Sequence, residues 1–251
     1  MEKKYRLTDE TIIVDIVEDK TLYRIEALKD FSNIKRGDKG GFVESENNLS
    51  QYGDCWVYDN AKVYDDAQVY GNARICGDAQ VFENAEVYDN AIVFCNAKVY
   101  GNTNVSADAK VYESAIIYGN AKIRGNAKIY GKTRIYDNVR VCMDAEIYGN
   151  SEVFDNARIF NNAKVYGDAM IYGNSEVYGN GEVYDNAEVY DNAEVYGNAL
   201  VHGNTIICEN AIVFDNAEVY DNAEVYGNAK VYGNAKVCDD TVICGNEKVC
   251  S

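Results

Sequence analysis

The stretch "GNGEVYDNAEVYDNAEVYGNALVHGNT", residues 179–205, repeats a unit of six residues almost without change. The unit reads V-Y-(G/D)-N-A-x, and a valine or isoleucine stands at every sixth position from Val57 to Val249. So long an unbroken period defines the fold. Within A-x-V-Y, strand alternation places Ala and Val on one face and x and Tyr on the other. Gly, Asp and Asn follow and favour a tight turn, so each unit predicts one short strand and one corner.

The composition supports a folded repeat protein rather than a disordered one. The 251 residues carry a formal net charge of −17, include no proline and are 47% hydrophobic. Such a negative chain is expected to bind neither nucleic acid nor an anionic membrane directly. The sequence shows no secretory signal and no apolar run long enough to span a bilayer, so we expect a cytoplasmic location.

The repeat resembles a known fold family. An aliphatic residue followed four positions later by Ala, Ser or Thr, repeated without a break, is similar to the hexapeptide-repeat left-handed parallel β-helix. In that family three units make one triangular coil, so residues 18 apart stack on each other. The resemblance implies an all-β, single-stranded, left-handed parallel β-helix of about 11 triangular coils with a small N-terminal β cap.

Residues 1–52 lie outside the repeat and predict that cap. The segment "TIIVDIVEDKTLYRIEAL", residues 11–28, reads as two strands of a hairpin joined near residues 18–20. A hairpin there would cover the open edge of the first coil. We therefore divide the chain into an N-terminal capping segment, residues 1–52, and a hexapeptide-repeat β-helix, residues 53–251.

Three short motifs near this boundary carry a closer resemblance. They are "GDKGGFV" at 37–43, "LSQ" at 49–51 and "GDCW" at 53–56. Together they resemble the start of YdcK-like proteins, a β-helix family that carries a transferase label. The resemblance implies the capped β-helix, whereas the label itself rests on fold analogy.

The single histidine, His202, is the first candidate for chemistry because it takes a position that usually holds tyrosine. Hexapeptide-repeat acyltransferases, which the fold resembles, use a histidine as general base beside a protruding loop. This repeat has no inserted loop, and no Asp or Ser stands at a spacing that clearly orients the ring. We therefore predict no catalytic residue, and assign His202 the role of general base only if the protein is an acyltransferase.

Apolar residues at outward x positions are the predicted interaction residues. These positions usually hold charged side chains, so an apolar group there indicates a contact surface. The set comprises Leu200, Ile206, Ile212, Ile116 and Met170.

The last coil is a predicted homodimer interface. It stops in register without proline, helix or charged tail, and an open β edge favours pairing with a second copy. The residues of this C-terminal edge are Ile243, Cys244, Val249 and Cys250. The spacing of the eight cysteines predicts reduced thiols rather than disulfides or a zinc site, so no metal is expected.

A group of cations forms a basic belt within the acidic repeat. Residues 122, 140 and 158 are spaced by 18 and are predicted to stack. This belt is a candidate for anion binding, and it comprises Lys122, Arg124, Arg134, Arg140 and Arg158.

Three functions remain open from the sequence. The favoured one is a non-enzymatic β-helix acting as a scaffold or protein-binding module through its surface and its C-terminal edge, with itself or a basic protein as partner and no cofactor. The second is an acidic mimic of DNA, or a phage-type inhibitor, that binds a basic host protein. The third is an acyltransferase of the hexapeptide-repeat class.

Overall fold

The computed structural model describes residues 2–15 and 20–251, and it is an all-β protein. The described residues form a parallel β-solenoid of about 12 turns and include no helix, which confirms the β-helix predicted from the period of six. No described residue therefore belongs to a helix that is long and apolar enough to cross a bilayer. The chain divides into two compact units, Met1–Asn120 and Ala121–Ser251.

The described residues of the first unit form 14 strands, of which three belong to the cap and the other 11 are two residues long. They are β1 (Tyr5–Asp15), β2 (Lys20–Ala27), β3 (Lys39–Val43), β4 (Trp56–Val57), β5 (Lys62–Val63), β6 (Gln68–Val69), β7 (Arg74–Ile75), β8 (Gln80–Val81), β9 (Glu86–Val87), β10 (Ile92–Val93), β11 (Lys98–Val99), β12 (Asn104–Val105), β13 (Lys110–Val111) and β14 (Ile116–Ile117). Within this unit every third strand pairs, which gives the orders β4-β7-β10-β13, β6-β9-β12 and β5-β8-β11-β14.

The N-terminal hairpin is confirmed, because β1 and β2 pair antiparallel. Its predicted connection falls mostly on residues 16–19, which lie outside the described residues. Strand β2 continues antiparallel to β3, and β3 pairs parallel with β5 through Phe42 opposite Lys62 and Val43 opposite Val63. Solenoid pairing thus begins at Phe42, inside the segment assigned to the cap, and the boundary at residue 52 stays a prediction.

Buried side chains fix the cap to the first coil. Tyr5 is fully buried, and its hydroxyl donates to the carbonyl oxygen of Leu49 at 2.6 Å. Its ring meets the edge of Trp56 with 6.1 Å between centroids. Lys4 is also buried; its ammonium donates to the carbonyl oxygen of Cys55 at 2.9 Å, and burial lowers the pKa of Lys4. These contacts explain why residues outside the repeat fold as part of the same unit.

The second unit contains 22 strands. They are β15 (Lys122–Ile123), β16 (Lys128–Ile129), β17 (Arg134–Ile135), β18 (Arg140–Val141), β19 (Glu146–Ile147), β20 (Glu152–Val153), β21 (Arg158–Ile159), β22 (Lys164–Val165), β23 (Met170–Ile171), β24 (Glu176–Val177), β25 (Glu182–Val183), β26 (Glu188–Val189), β27 (Glu194–Val195), β28 (Leu200–Val201), β29 (Ile206–Ile207), β30 (Ile212–Val213), β31 (Glu218–Val219), β32 (Glu224–Val225), β33 (Lys230–Tyr232), β34 (Lys236–Val237), β35 (Val242–Ile243) and β36 (Lys248–Cys250). We name its three sheets by their first strand: the β15 sheet (β15-β18-β21-β24-β27-β30-β33-β36), the β16 sheet (β16-β19-β22-β25-β28-β31-β34) and the β17 sheet (β17-β20-β23-β26-β29-β32-β35).

The predicted alternation of residues along each strand determines which side chains are buried in the core of the solenoid. Every aliphatic residue at the six-residue spacing from Val57 to Ile243 is buried, and Val249 is partly exposed. The small residues at the Ala position are buried as well, through Ala235. Ser and Thr fit this position where their hydroxyl donates to the turn carbonyl three residues earlier, as Ser175 does to Tyr172 at 2.7 Å. Thr205 is an exception, because its buried hydroxyl has no hydrogen-bond partner.

The corners are built from positive φ and stacked amides. In the repeat, the residue after each ring position has a left-handed backbone conformation, as in Gly197 (φ 73°) and Asp191 (φ 58°). The next residue, usually Asn, donates its amide to the Asn or Asp one coil on; Asn180 to Asn198 measures 2.9 Å. Such ladders explain the abundance of Asn better than turn preference alone, because each amide satisfies its neighbour.

The crowded Ala position gives a stability prediction. Ala193 is fully buried, with Ser175 and Ala211 stacked on either side of it. We expect Ala193→Leu to lower the free energy of unfolding by about 1–3 kcal/mol through overpacking. Ala193→Ser is the control and should change it less, since Ser175 already shows how the hydroxyl is satisfied. Urea denaturation measures both, and equal midpoints for the two variants would contradict a tightly filled corner.

Candidate functional site

His202 lies in the outer ladder of rings, as its sequence position predicted. It follows β28, and its ring stacks between those of Tyr184 and Tyr220, with centroids 4.6 Å and 5.4 Å away. The planes differ by only 2° and 8°. The side chain is 20% exposed. Two flanking rings therefore fix the plane of the imidazole while one edge stays open to solvent.

Two carboxylates flank this imidazole, which corrects the expectation that nothing orients it. Nε2 of His202 lies 3.3 Å from Oε1 of Glu218, and Nδ1 lies 4.0 Å from Oδ2 of Asp185. The other oxygen of Glu218 is 2.7 Å from the ammonium of Lys236. The hydrogen bond from Lys236 lowers the pKa of Glu218, and the His202 contact lowers it further. Glu218 is therefore ionised near neutral pH and can only accept a hydrogen bond.

The tautomer of His202 follows from that contact. Because ionised Glu218 has no proton to donate, the hydrogen bond requires a proton on Nε2. In the neutral ring the lone pair then lies on Nδ1, which faces the exposed Asp185 beyond hydrogen-bond distance. The arrangement is an imidazole held by one carboxylate, with its second nitrogen available to take a proton.

The sequence carried a signal for this partner at a spacing of 16. Ring residues elsewhere bond to the x residue of the next coil in the same way; the Tyr166 hydroxyl donates to Glu182 at 3.1 Å. Lys164 pairs with the same Glu182 at 2.9 Å, as Lys236 does with Glu218. His202 thus contacts Glu218 in the same way that tyrosines of the ladder contact their glutamates. The partner is not visible at the stacking spacing of 18, because it lies 16 residues further along the chain.

Three residues of the predicted basic belt meet at a recess in the β15 sheet. Lys122, Arg124 and Arg140 line a cavity of about 240 Å³ together with Val141 and Cys142. Lys122 and Arg140 lie directly opposite each other in neighbouring strands. Burial raises the pKa of the Cys142 thiol against the opposing effect of Arg124. The recess is thus lined by three cationic side chains together with Val141 and an uncharged thiol.

The other two residues of the belt are engaged elsewhere. Arg134 belongs to β17, in another sheet, and lies 3.3 Å from Glu152. Arg158 continues the column above Arg140 but lies 3.0 Å from Glu176. The structure therefore gathers three of the five predicted anion ligands and separates Arg134 and Arg158 from them.

The predicted apolar interaction residues do not form one continuous patch. Leu200, Ile206 and Ile212 are partly exposed and lie in three different sheets. In the β17 sheet, Met170 and Ile206 are separated by the intervening Glu188. Ile116 belongs to the first unit, in β14. Their role in protein binding stays a prediction.

The residues of the C-terminal edge lie in or directly after the last strands of their sheets: Ile243 in β35, Cys244 just after it, and Val249 and Cys250 in β36. Ile243 is buried, Cys244 and Val249 are partly exposed, and Cys250 is exposed. All eight cysteines are free thiols. Pairing with a second copy through these residues stays a prediction.

A group of potential metal ligands lies near this edge. One ligand atom each from Asp221, Cys238 and Asp239 falls within 4.8 Å of the others. The two aspartates are exposed, and the backbone N–H of Asp239 donates to the Asp221 carboxylate at 3.4 Å. Three surface groups with internal hydrogen bonding do not define a metal centre.

Comparisons with known proteins agree with the fold. The family model "YdcK Beta solenoid repeat" matches residues 67–83. The uncharacterised acetyltransferase YdcK of Escherichia coli is 39% identical over 62 residues, which are 23% of this chain and 19% of that relative. The match therefore spans about a fifth of the relative's length. With the solenoid itself, these matches fit a hexapeptide-repeat, YdcK-like β-helix protein.

A solved structure gives a weaker comparison. It is described provisionally as an acetyltransferase from Desulfovibrio desulfuricans, and it covers 78% of this chain and 58% of its own at 10% identity. The TM-score of 0.27 is too low to support any inference.

The favoured function from the sequence was wrong. A non-enzymatic β-helix acting through its surface and C-terminal edge does not agree with the curated relative, which is named an acetyltransferase. The acyltransferase alternative agrees with that name better.

Proposed function

We propose that this YdcK-like β-helix protein transfers an acyl group from an activated donor to a hydroxyl or amine, with His202 as general base. The observation that carries the proposal is the orientation of the imidazole: Glu218 holds Nε2 at 3.3 Å and leaves the Nδ1 lone pair available. The name of the curated relative supports acyl transfer as the reaction class.

The chemistry follows from these positions. An acceptor O–H or N–H placed at Nδ1 gives up its proton to the imidazole while its oxygen or nitrogen attacks the acyl carbonyl. The new carbon–oxygen or carbon–nitrogen bond forms, the bond from the carbonyl to the leaving group breaks, and the imidazolium returns the proton to that group. Ionised Glu218 stabilises the imidazolium during the step, and the flanking rings of Tyr184 and Tyr220 keep its plane fixed.

Acetyl transfer from acetyl-coenzyme A to a panel of hydroxyl and amine acceptors, followed by mass spectrometry, tests the proposal. We expect His202→Asn to lower the rate about 10²–10⁴-fold, because the general base is lost. Glu218→Gln should lower it less, since a neutral amide stabilises the imidazolium less.

A matched control distinguishes the catalytic role of the His202–Glu218 pair from the contribution of glutamate contacts to the stability of the ring ladder. Glu182→Gln alters the equivalent pair with Tyr166, where no imidazole is present, and should leave the rate unchanged. No transfer to any acceptor would contradict acyl transfer itself. Full activity in His202→Asn would instead remove His202 from the mechanism.

A further inference from the structure

The recess in the β15 sheet exists because two rings are missing from an aromatic ladder. Further along the same column the rings stack without a gap, for example Phe160 on Tyr178 at 4.8 Å and Tyr178 on Tyr196 at 4.7 Å. Arg124 and Cys142 occupy the ring position in the two preceding coils of this unit. The short side chain of Cys142 leaves open the space that a tyrosine would fill.

The charges around this space are uncompensated within the described part of the chain. Lys122, Arg124 and Arg140 form no ion pair there, whereas Arg158, next in the column, is held by Glu176. Like charges directly opposite each other in neighbouring strands, as in Lys122 and Arg140, are destabilising. A protein with a net charge of −17 thus concentrates three unpaired cations around one concavity, and a bound anion would relieve their repulsion.

We propose that this recess is a binding site for a diphosphate group. Guanidinium forks match phosphate oxygens in bidentate geometry, and two arginines with one lysine balance a multiply charged anion better than a single carboxylate. The volume of about 240 Å³ lies below the range typical of sites for drug-sized ligands. It therefore suits the diphosphate itself, with any attached organic group lying outside the recess.

This site is independent of the proposed acyl transfer. Its residues belong to β15 and β18 or follow them, whereas His202 follows β28 in another sheet of the same unit. Loss of diphosphate binding is thus distinguishable from loss of the general base.

Calorimetric titration of the intact protein with inorganic pyrophosphate, at constant ionic strength, tests the proposal. We expect Arg140→Gln to weaken binding about tenfold or more, because one charge-assisted fork is lost. Arg134→Gln is the control of equal charge, since Arg134 lies in the β17 sheet beside Glu152 and should leave binding within about twofold.

The second variant tests the shape of the site rather than its charge. Cys142→Tyr restores the ladder ring and keeps all three cations, so it should abolish binding, whereas Cys142→Ser should retain it. Circular dichroism verifies that each variant folds. Undiminished binding in Cys142→Tyr, an equal loss in Arg134→Gln, or no binding by the unmodified protein would overturn the proposal.

A nucleoside diphosphate in the same titration distinguishes the source of the group. Binding that Cys142→Tyr abolishes would assign the recess to the diphosphate of a larger ligand. Binding of pyrophosphate alone would assign it to the free anion.

Discussion

Val183→Asp is expected to abolish the native state around the coil it occupies. Val183 is fully buried and lies between Val165 and Val201 in the β16 sheet. An aspartate there would place a carboxylate among aliphatic side chains with no donor to receive it. The cost of a buried, unpaired charge exceeds about 4 kcal/mol, a large share of the 5–15 kcal/mol by which most domains are stable. Far-ultraviolet circular dichroism and urea denaturation should show partial or complete loss of the solenoid.

Two neighbouring substitutions make this prediction specific to the inward face. Glu182→Asp places the same side chain one residue earlier, on the outward face, and should cost less than about 1 kcal/mol. Val183→Ile keeps the side chain aliphatic. Isoleucine is already buried at the equivalent position of other repeat units, as Ile171 and Ile207 show. If Val183→Asp and Glu182→Asp had similar urea midpoints, the inward assignment of the sixth residue would be wrong.

That assignment could be made from the sequence because the repeat satisfies several physical constraints at once. The six-residue period, the small residue before each strand and the turn-forming pair after it all indicate the same coil. The cap was less predictable: its strands follow local alternation, but the parallel pairing of Val43 with Val63 joins segments of different spacing. A periodic pattern cannot predict strand pairing between a segment of the repeat and a segment outside it.

The candidate site could be predicted only in part, for a related reason. The columns follow from a spacing of 18, so the stack of Lys122 and Arg140 was correct. Glu218, the partner of His202, lies 16 residues further along the chain, because the His202 side chain extends from the ring position to the x position of the next coil. Side-chain reach, unlike backbone register, depends on the length and direction of each residue. The recess at Cys142 likewise depends on which rings are absent, which a list of cations does not reveal.

Alkaline unfolding is the second large effect that we expect, and it arises from the tyrosine ladders. Burial, with the nearby charge of Glu188 and a hydrogen bond to it, raises the pKa of Tyr172 to about 12. Burial and glutamate contacts also raise the pKa of Tyr166 and Tyr178. A folded-state pKa above the unfolded value of about 10 means that the stabilisation is complete below pH 10. It is lost as the pH rises from about 10 to about 12, where the unfolded chain ionises first.

The measurement follows tyrosinate absorbance and circular dichroism in one alkaline titration. We expect these tyrosines to ionise late, at the same pH at which the β-sheet signal disappears, because each phenolate would face a glutamate and the stacked rings above and below it. Tyr172→Phe is the matched variant, since Phe154 already stacks on this position at 4.8 Å. It should remove one late-titrating group and retain more β-sheet signal at high pH. Ionisation near pH 10 with the solenoid intact would show that the ladder leaves its hydroxyls freely solvated, and the glutamate contacts would then contribute little to stability.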